Sequence, residues 1–388
     1  MEDAGTHDAC SPDLLYLKSS FLAMEPADYF ISLARQSDGG SITERVQTFI
    51  LEHCINSIED KGTACNLTYM KNILKKVITA AESTHDVVVE GLYEQLAYYL
   101  TSHMDDDLLI EKNRIYRQIS FLCSSGHDDK CLNSMNLVVP LQCSLNMLEG
   151  DTGCALWPSS LFLSELILSY PMTFSNKFCF EVGSGVGLVG VILKHVGASK
   201  VILSDGDMST LENMKLNLEL NHLASETMAS QRICENPNMV ECKHLPWESA
   251  SESELQTYHP DIVLGADIIY DPLYVPHLIR VLSVLLRPLK FCSSERKAGD
   301  LSCYRCTRTT EDMNGDNSPN EAKEAPNAYI AAVIRNMETF NYFLKLAAEA
   351  SLSVLDVTAT MKPKNLLPYM LSYDRSSVHL YQVSFSCI

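Results

Sequence analysis

Residues 177–204 constrain the fold more tightly than any other stretch of the chain. The apolar run Lys177-Phe-Cys-Phe-Glu-Val182 is followed by Gly183, Gly185 and Gly187 at alternate positions, then by a helix-compatible stretch from Val189 to Val196. Lys200-Val-Ile-Leu-Ser204 supplies a second apolar run. Strand, glycine-rich turn, helix and strand in this order is the unit that builds parallel sheets with covering helices. Glycines suit such a turn because they let the backbone adopt tight conformations and approach a ligand closely.

The same alternation continues downstream. Helices are expected over 211–220, 273–289 and 338–350, and strands at Val240-Glu-Cys-Lys243, Asp261-Ile-Val-Leu-Gly-Ala266, Tyr329-Ile-Ala-Ala-Val-Ile334 and Leu352-Ser-Val-Leu355. Val378 to Phe385 alternates apolar and polar residues as an antiparallel strand does. We therefore assign residues 151–388 to an α/β domain. Within it, residues 291–326 are rich in Ser, Thr, Asn, Asp, Glu and Lys and read as a disordered insertion.

Upstream the pattern differs. From about residue 11 to 111 the apolar residues recur at helical spacing, which makes residues 1–112 a helical N-terminal domain. Ser41 and Glu44 form a capping-box pattern ahead of Val46, Phe49, Ile50 and Cys54. Further helices are expected over 67–80 and 87–100, the latter capped by Asp86 with Leu92, Leu96, Tyr99 and Leu100 facing inward. Between the two domains, residues 113–150 hold two short strand-like runs, at 115–119 and 136–141, and form a small β-element. A length of 388 residues accommodates one large domain and a smaller one.

Thirty Lys and Arg against 49 Asp and Glu give a formal charge of −19, which argues against broad binding to nucleic acid or anionic membrane. A basic or locally basic protein is the easier partner. No apolar run approaches the roughly 20 residues that span a bilayer. The acidic N-terminus carries no leader pattern and the 14 cysteines are scattered, so a cytoplasmic chain with reduced thiols is expected. Cys303 and Cys306 have metal-like spacing, but no second pair follows, and no metal is expected.

The chemistry should lie at the glycine turn. Gly185, Gly187 and Gly190 also satisfy the dinucleotide fingerprint, which would put a pyrophosphate at the helix N-terminus. Asp205, after the second strand, is placed to accept hydrogen bonds from ribose hydroxyls, and Asp207 competes with it for that role or for capping the next helix. A tight turn without any ligand is the plain alternative. His195, His222 and His277 have no ligand partner at usable spacing. Gly183-Ser184-Gly185 lacks the spacing of a hydrolase nucleophile elbow, so Ser184 reads as a turn residue.

Taken together, Glu181-x-Gly-x-Gly-x-Gly and Asp205 resemble the S-adenosylmethionine site of the seven-strand methyltransferases. Asp267-Ile-Ile-Tyr270, directly after the fourth strand, resembles the Asp-x-x-Tyr signature of the protein lysine methyltransferases called family 16. The only two tryptophans, Trp157 and Trp247, match that family's pair, and the stretch 332–340 is similar too. The helical extension and β-element look most like the elongation factor 2 lysine methyltransferase branch. The resemblance implies a seven-strand Rossmann-like sheet, S-adenosylmethionine as cofactor, and methyl transfer to a lysine of a protein substrate, elongation factor 2. Its implied cofactor set is Trp157, Glu181, Gly183, Ser184, Gly185, Gly187, Asp205, Trp247 and Ala266. Asp267 would bind and orient the lysine, and Tyr270 would shape the channel.

Those roles are physically coherent. The cofactor carries the reactive methyl, so the protein mainly positions the amine, which can supply about 7–11 kcal/mol. A lysine amine has a reference pKa of about 10.4, and desolvation favours its neutral, reactive form. A carboxylate alone pulls the other way. The rivals are a catalytically silent methyltransferase fold that serves as an interaction module, and a nicotinamide oxidoreductase. At residue level, Asp267 could cap its loop, Tyr270 could pack under the next helix, and both tryptophans could be core anchors.

Overall fold

The computed structural model describes residues 11–56, 66–84, 86–101, 114–122, 137–144, 152–225, 239–288 and 325–386. Cys303, Cys306 and nearly all of the polar stretch expected at 291–326 lie outside the described residues.

The N-terminal helices are α1 (Pro12–Leu22), α2 (Ala27–Gln36), α3 (Glu44–Ile50), α4 (Leu67–Ser83) and α5 (Glu90–Thr101). In α4, Asn66 caps the start by accepting the Tyr69 N–H at 2.9 Å, and Met70, Ile73, Leu74, Val77 and Ala81 bury one face at helical spacing. Two local expectations fail here. Thr43, not Ser41, precedes α3, so the expected capping box does not form. Asp86 accepts the Thr84 hydroxyl at 2.6 Å, and α5 starts later than expected. Buried Gln47 explains the late start: it donates to Val87 O at 3.1 Å and accepts the Val89 N–H at 2.8 Å, which holds that segment out of a helix. Leu92 and Tyr99 are buried, but Leu100 is 52% exposed. Eight residues beyond Leu92 it has rotated about 80° off the buried face.

Next come the antiparallel strands β1 (Arg114–Phe121) and β2 (Leu137–Ser144). Helix α6 (Pro158–Ser169) leads into the main sheet. Its elements are β3 (Phe178–Val182), α7 (Leu188–His195), β4 (Lys200–Asp205), α8 (Met208–Leu220), β5 (Ala224–Ser225), β6 (Met239–His244), β7 (Ile262–Ala266), α9 (Val275–Leu285), β8 (Asn327–Val333), α10 (Met337–Glu349), β9 (Leu352–Asp356) and β10 (Val378–Phe385). The strand order is β5-β6-β4-β3-β7-β8-β10-β9. Strands β3 to β8 pair in parallel, and β10 runs antiparallel to both β8 and β9. The expected seven-strand sheet is present, with the two-residue β5 added at one edge.

Period-2 alternation divides the sheet between two apolar layers. Phe180, Ile202, Val263 and Ile330 face the core shared with α9 and α10. Cys179, Leu203, Leu264 and Ala331 face the other layer, which takes in α6 to α8, the hairpin and the N-terminal helices as one continuous core. Helix α7 lies so close to β4 that a Cβ on Gly190 would sit 2.5 Å from Leu203 Cδ1. This explains the third glycine of the apparent dinucleotide fingerprint by packing.

Residues 357–377, between β9 and β10, strap the N-terminal elements to this layer. Leu366 O accepts the Leu122 N–H at 2.8 Å, and Tyr369 Oη accepts the Ser120 N–H at 2.7 Å. The strap's donors meet two buried carboxylates. Glu165 of α6 accepts the Leu366 N–H at 2.7 Å and the Tyr373 hydroxyl at 3.1 Å, with Arg375 Nε 3.0 Å away. Glu25 accepts the Ser372 N–H at 2.8 Å and its hydroxyl at 2.6 Å. No described helix is long and apolar enough to cross a membrane.

Candidate active site

The C-terminal ends of the parallel strands open onto a cavity of about 460 Å³. Ligands of open α/β sheets bind at this edge, beyond the strand termini. Its floor is the turn after β3, where Gly183, Gly185 and Gly187 all have positive φ, at 68°, 53° and 81°. A Cβ on Gly183 would lie 2.9 Å from Ile268 Cγ2 and 3.4 Å from Trp247 Cζ2. On Gly185 it would lie 3.0 Å from the Gly153 carbonyl. The turn therefore offers bare backbone to the cavity. Gly187 does not line it; a Cβ there would meet Met214 Cγ at 2.9 Å, so this glycine serves the packing of α8.

Ser184 and Glu181 lie behind the turn. The Ser184 hydroxyl accepts the Ser204 N–H at 3.0 Å and faces Glu181 O at 3.3 Å, which seams the turn to β4. The Glu181 side chain is buried, and its Oε2 has no hydrogen-bond partner among the described residues. Desolvation pushes its pKa well above the ordinary carboxylate value; the Ser184 hydroxyl opposes this, and the Asp205 charge adds to it.

Asp205 ends β4 and faces the cavity. It accepts N–H bonds from Gly185 and Asp207, both at 3.1 Å. Burial raises its pKa, and these backbone donors hold it down in part. Asp207 takes the other role anticipated for the pair: it caps α8 by accepting the Thr210 N–H at 2.7 Å and hydroxyl at 2.8 Å.

Two aromatic walls close the space. Trp247 stands edge-on to Tyr274, with ring centroids 6.4 Å apart. Its loop is pinned by Arg280 of α9, which donates to Trp247 O and Ala250 O at 2.6 Å each. On the other wall, Trp157 donates Nε1–H to Thr152 O at 2.9 Å, and the Arg335 guanidinium lies 4.9 Å from its ring centroid.

Asp267 follows β7 directly, beyond Ala266, with a left-handed φ of 55°. Its N–H donates to Ala331 O at 2.8 Å, and its Oδ1 accepts the Val333 N–H at 2.9 Å. Arg335 grips both carboxylate oxygens, at 3.2 and 3.3 Å. Asp267 thus fastens its own loop to β8 and also faces the cavity. Tyr270 does not pack under the next helix: it is 57% exposed, at the cavity mouth, 6.3 Å from the Tyr274 ring. Burial and the neighbouring Tyr274 and acidic groups raise its pKa.

The structure brings together at the cavity Trp157, Gly183, Gly185, Asp205, Trp247, Ala266, Asp267 and Tyr270. Glu181, Ser184 and Gly187 stand outside its lining. Sequence reasoning gave no role to Gly153, Tyr274 or Arg335. For Arg335 the one signal was its place just after a predicted strand; that this strand lies beside β7 shows only in the sheet order. For Gly153, some 30 residues before the turn it touches, there was none.

The donor set also limits what the cavity can hold. Among the described lining residues the acids are Asp205, Asp207, Glu248 and Asp267, and the only cation is Arg335, which Asp267 already engages. A pyrophosphate would meet uncompensated negative charge; a sulfonium or ammonium meets complementary charge. Bare glycine backbone, a half-buried carboxylate that faces the cavity for vicinal hydroxyls, and aromatic walls fit an adenosyl sulfonium. Among the described residues, no cluster of three or more His, Cys, Asp or Glu is arranged to hold a metal.

Comparison with known proteins agrees with the resemblance in the sequence. Residues 139–301 match the family model described as lysine methyltransferase. The chain is 31% identical over 246 residues to an uncharacterised protein of Dictyostelium discoideum, covering 60% of this chain and 58% of that one. It is 27% identical over 279 residues to the human protein-lysine N-methyltransferase EEF2KMT, covering 72% and 69%. With the protein-lysine N-methyltransferase EFM3 of Chaetomium thermophilum it shares 30% identity over 228 residues, covering 57% and 63%. The matched region thus spans less than two thirds of the Dictyostelium and Chaetomium relatives.

Proposed function

We propose that this chain, whose residues 139–301 match the family model described as lysine methyltransferase, transfers a methyl group from S-adenosylmethionine to the side-chain amine of a lysine in a protein substrate. The observation that carries the reading is the cavity's charge: its carboxylates outnumber its one, already paired, cation. When bound, S-adenosylmethionine supplies an electrophilic methyl and a thioether leaving group.

The chain's own residues do the rest. Asp205 accepts hydrogen bonds from the ribose hydroxyls, and Gly183 and Gly185 let the backbone meet the cofactor without a side chain between. Trp157 and Trp247 wall the pocket and exclude water. Glu181, whose Oε2 has no partner among the described residues, would offer a bound cofactor a hydrogen-bonding group from behind the turn. At the open end, Asp267 orients the incoming amine while Tyr270 and Tyr274 narrow its approach. Holding the amine in line is the main catalytic contribution, and exclusion of water favours its neutral form.

Elongation factor 2 is the substrate we propose, on the likeness to EEF2KMT and on the helical extension ahead of the sheet. The cytoplasm, where translation runs, is then the place of action. The silent-module alternative leaves the free acceptor capacity of Asp205 at the cavity without a purpose, and a nicotinamide enzyme conflicts with the acidic lining.

The test is to incubate the protein with methyl-labelled S-adenosylmethionine and an extract of cells that lack it, then identify labelled proteins by mass spectrometry. One labelled lysine in elongation factor 2, absent with Asp267→Ala, is expected. Cofactor binding without any label in any protein would sink the enzymatic reading.

A further inference from the structure

Arg335 is the one cation lining the cavity among the described residues, and it is not the sole anchor of Asp267. Asp267 is already fixed by its N–H on Ala331 O and by the Val333 N–H on its carboxylate. The two-pronged contact from Arg335 comes in addition, and the guanidinium is itself steadied on the face of Trp157. The Asp267 side chain is 5% exposed and that of Arg335 44%. Without Arg335, a buried and uncompensated carboxylate would face the incoming amine.

That matters for the chemistry. The nucleophile must be the neutral amine, whose lone pair is free, yet an opposite charge within about 4–6 Å favours the protonated form by about 1–3 pKa units. The other charged groups at the cavity, Asp205, Asp207 and Glu248, are acids, as is Asp271 beside the mouth, and Tyr270 and Tyr274 add no positive charge. All the acids push the amine toward ammonium. Among the described charged groups lining the cavity only Arg335 pushes it the other way, in the same direction as desolvation.

We propose that Arg335 is a positioning residue that cancels the charge of Asp267, so that the carboxylate accepts a hydrogen bond from the lysine amine without holding it as an unreactive ammonium. This rests on the methyl-transfer reading above. It assigns Arg335 an effect on the pH at which the amine becomes reactive, where a merely structural role would lower the rate equally at every pH.

The experiment is the pH–rate profile of methyl transfer by the full chain to its substrate protein, with cofactor binding measured by calorimetry on the same samples. In the wild type the rate should rise with pH to a plateau. Arg335→Gln should move the rising limb up by about 1 pH unit or more, a roughly tenfold loss on the limb that is recovered at high pH. Arg335→Lys should restore part of the shift, and the double variant Asp267→Asn with Arg335→Gln should bring the limb back below that of Arg335→Gln alone. Limbs that superimpose after scaling would overturn the inference. Should Arg335→Gln fail to fold, Arg335→Met, which also removes the charge but keeps a long stem against Trp157, decides: a limb shifted upward supports the proposal, and an unmoved limb overturns it. A wild-type chain that binds cofactor but labels no protein would instead overturn the methyl-transfer reading itself.

Discussion

Glu25 and Glu165, under the strap of residues 357–377, contrast with Glu181 and Asp205, around the glycine turn, in how their oxygens are satisfied. All four are raised in pKa chiefly by burial. Under the strap each carboxylate oxygen meets a donor from the chain itself. At the turn, Glu181 Oε2 meets none among the described residues, and Asp205, though it accepts two N–H bonds, keeps acceptor capacity facing the cavity. A carboxylate that keeps acceptor capacity beside a cavity has room for a donor from outside the chain. The strap is finished architecture, and the turn is a port.

That contrast can be broken most severely at Glu165. Glu165→Ala takes the carboxylate from Arg375 Nε, the Tyr373 hydroxyl and the Leu366 N–H together, and should destabilise the protein by about 3–5 kcal/mol in urea unfolding. An unchanged midpoint would mean that the strap does not depend on this carboxylate. A smaller loss of stability is expected at Gly183→Ala, where φ is 68° and the new Cβ meets Ile268. Strain of about 1–3 kcal/mol should accompany an at least tenfold weaker cofactor affinity. If affinity survives while stability falls, the bare backbone is not part of the binding surface.

The subtlest effect is a pH dependence at Glu181. Because its pKa is raised by folding, the folded state holds its proton more tightly than the unfolded chain. Its contribution to stability is full below the unfolded pKa of about 4.3 and is lost as pH rises through the folded value. Glu181→Gln removes that loss. The variant's melting temperature should gain on the wild type as pH rises above about 4.3, with weaker cofactor binding as the accompanying defect. A gap that stays constant with pH would show that this carboxyl does not titrate as its burial requires.

What could be read from sequence follows the same division. The unit β3, glycine turn, α7, β4 was legible because its signals are local: apolar runs, glycines at positive φ, and an acid at the end of each strand. Helix α6 was not read, because Leu161, Phe162, Leu163, Leu166 and Ile167 bury it nearly all round and leave no polar face to set a period. The strap has no periodicity at all; its order comes from partners far away in sequence, Glu25 and Glu165. At Ser41 and Asp86 local capping signals were present but were overridden, the latter by the hydrogen bonds of Gln47. In the site, the glycines, Asp205 and Asp267 could be named beforehand, whereas the Arg335 grip on Asp267 depends on β8 lying beside β7, which only the sheet order reveals.

The most direct test of the turn as a port is calorimetric titration of the wild type and Asp205→Ala with S-adenosylmethionine and with NAD. The account predicts that S-adenosylmethionine binds the wild type, that Asp205→Ala weakens it by about tenfold or more through the lost charge-assisted hydrogen bonds, and that NAD does not bind. Binding of NAD in preference, or equal affinity of wild type and Asp205→Ala for S-adenosylmethionine, would contradict it.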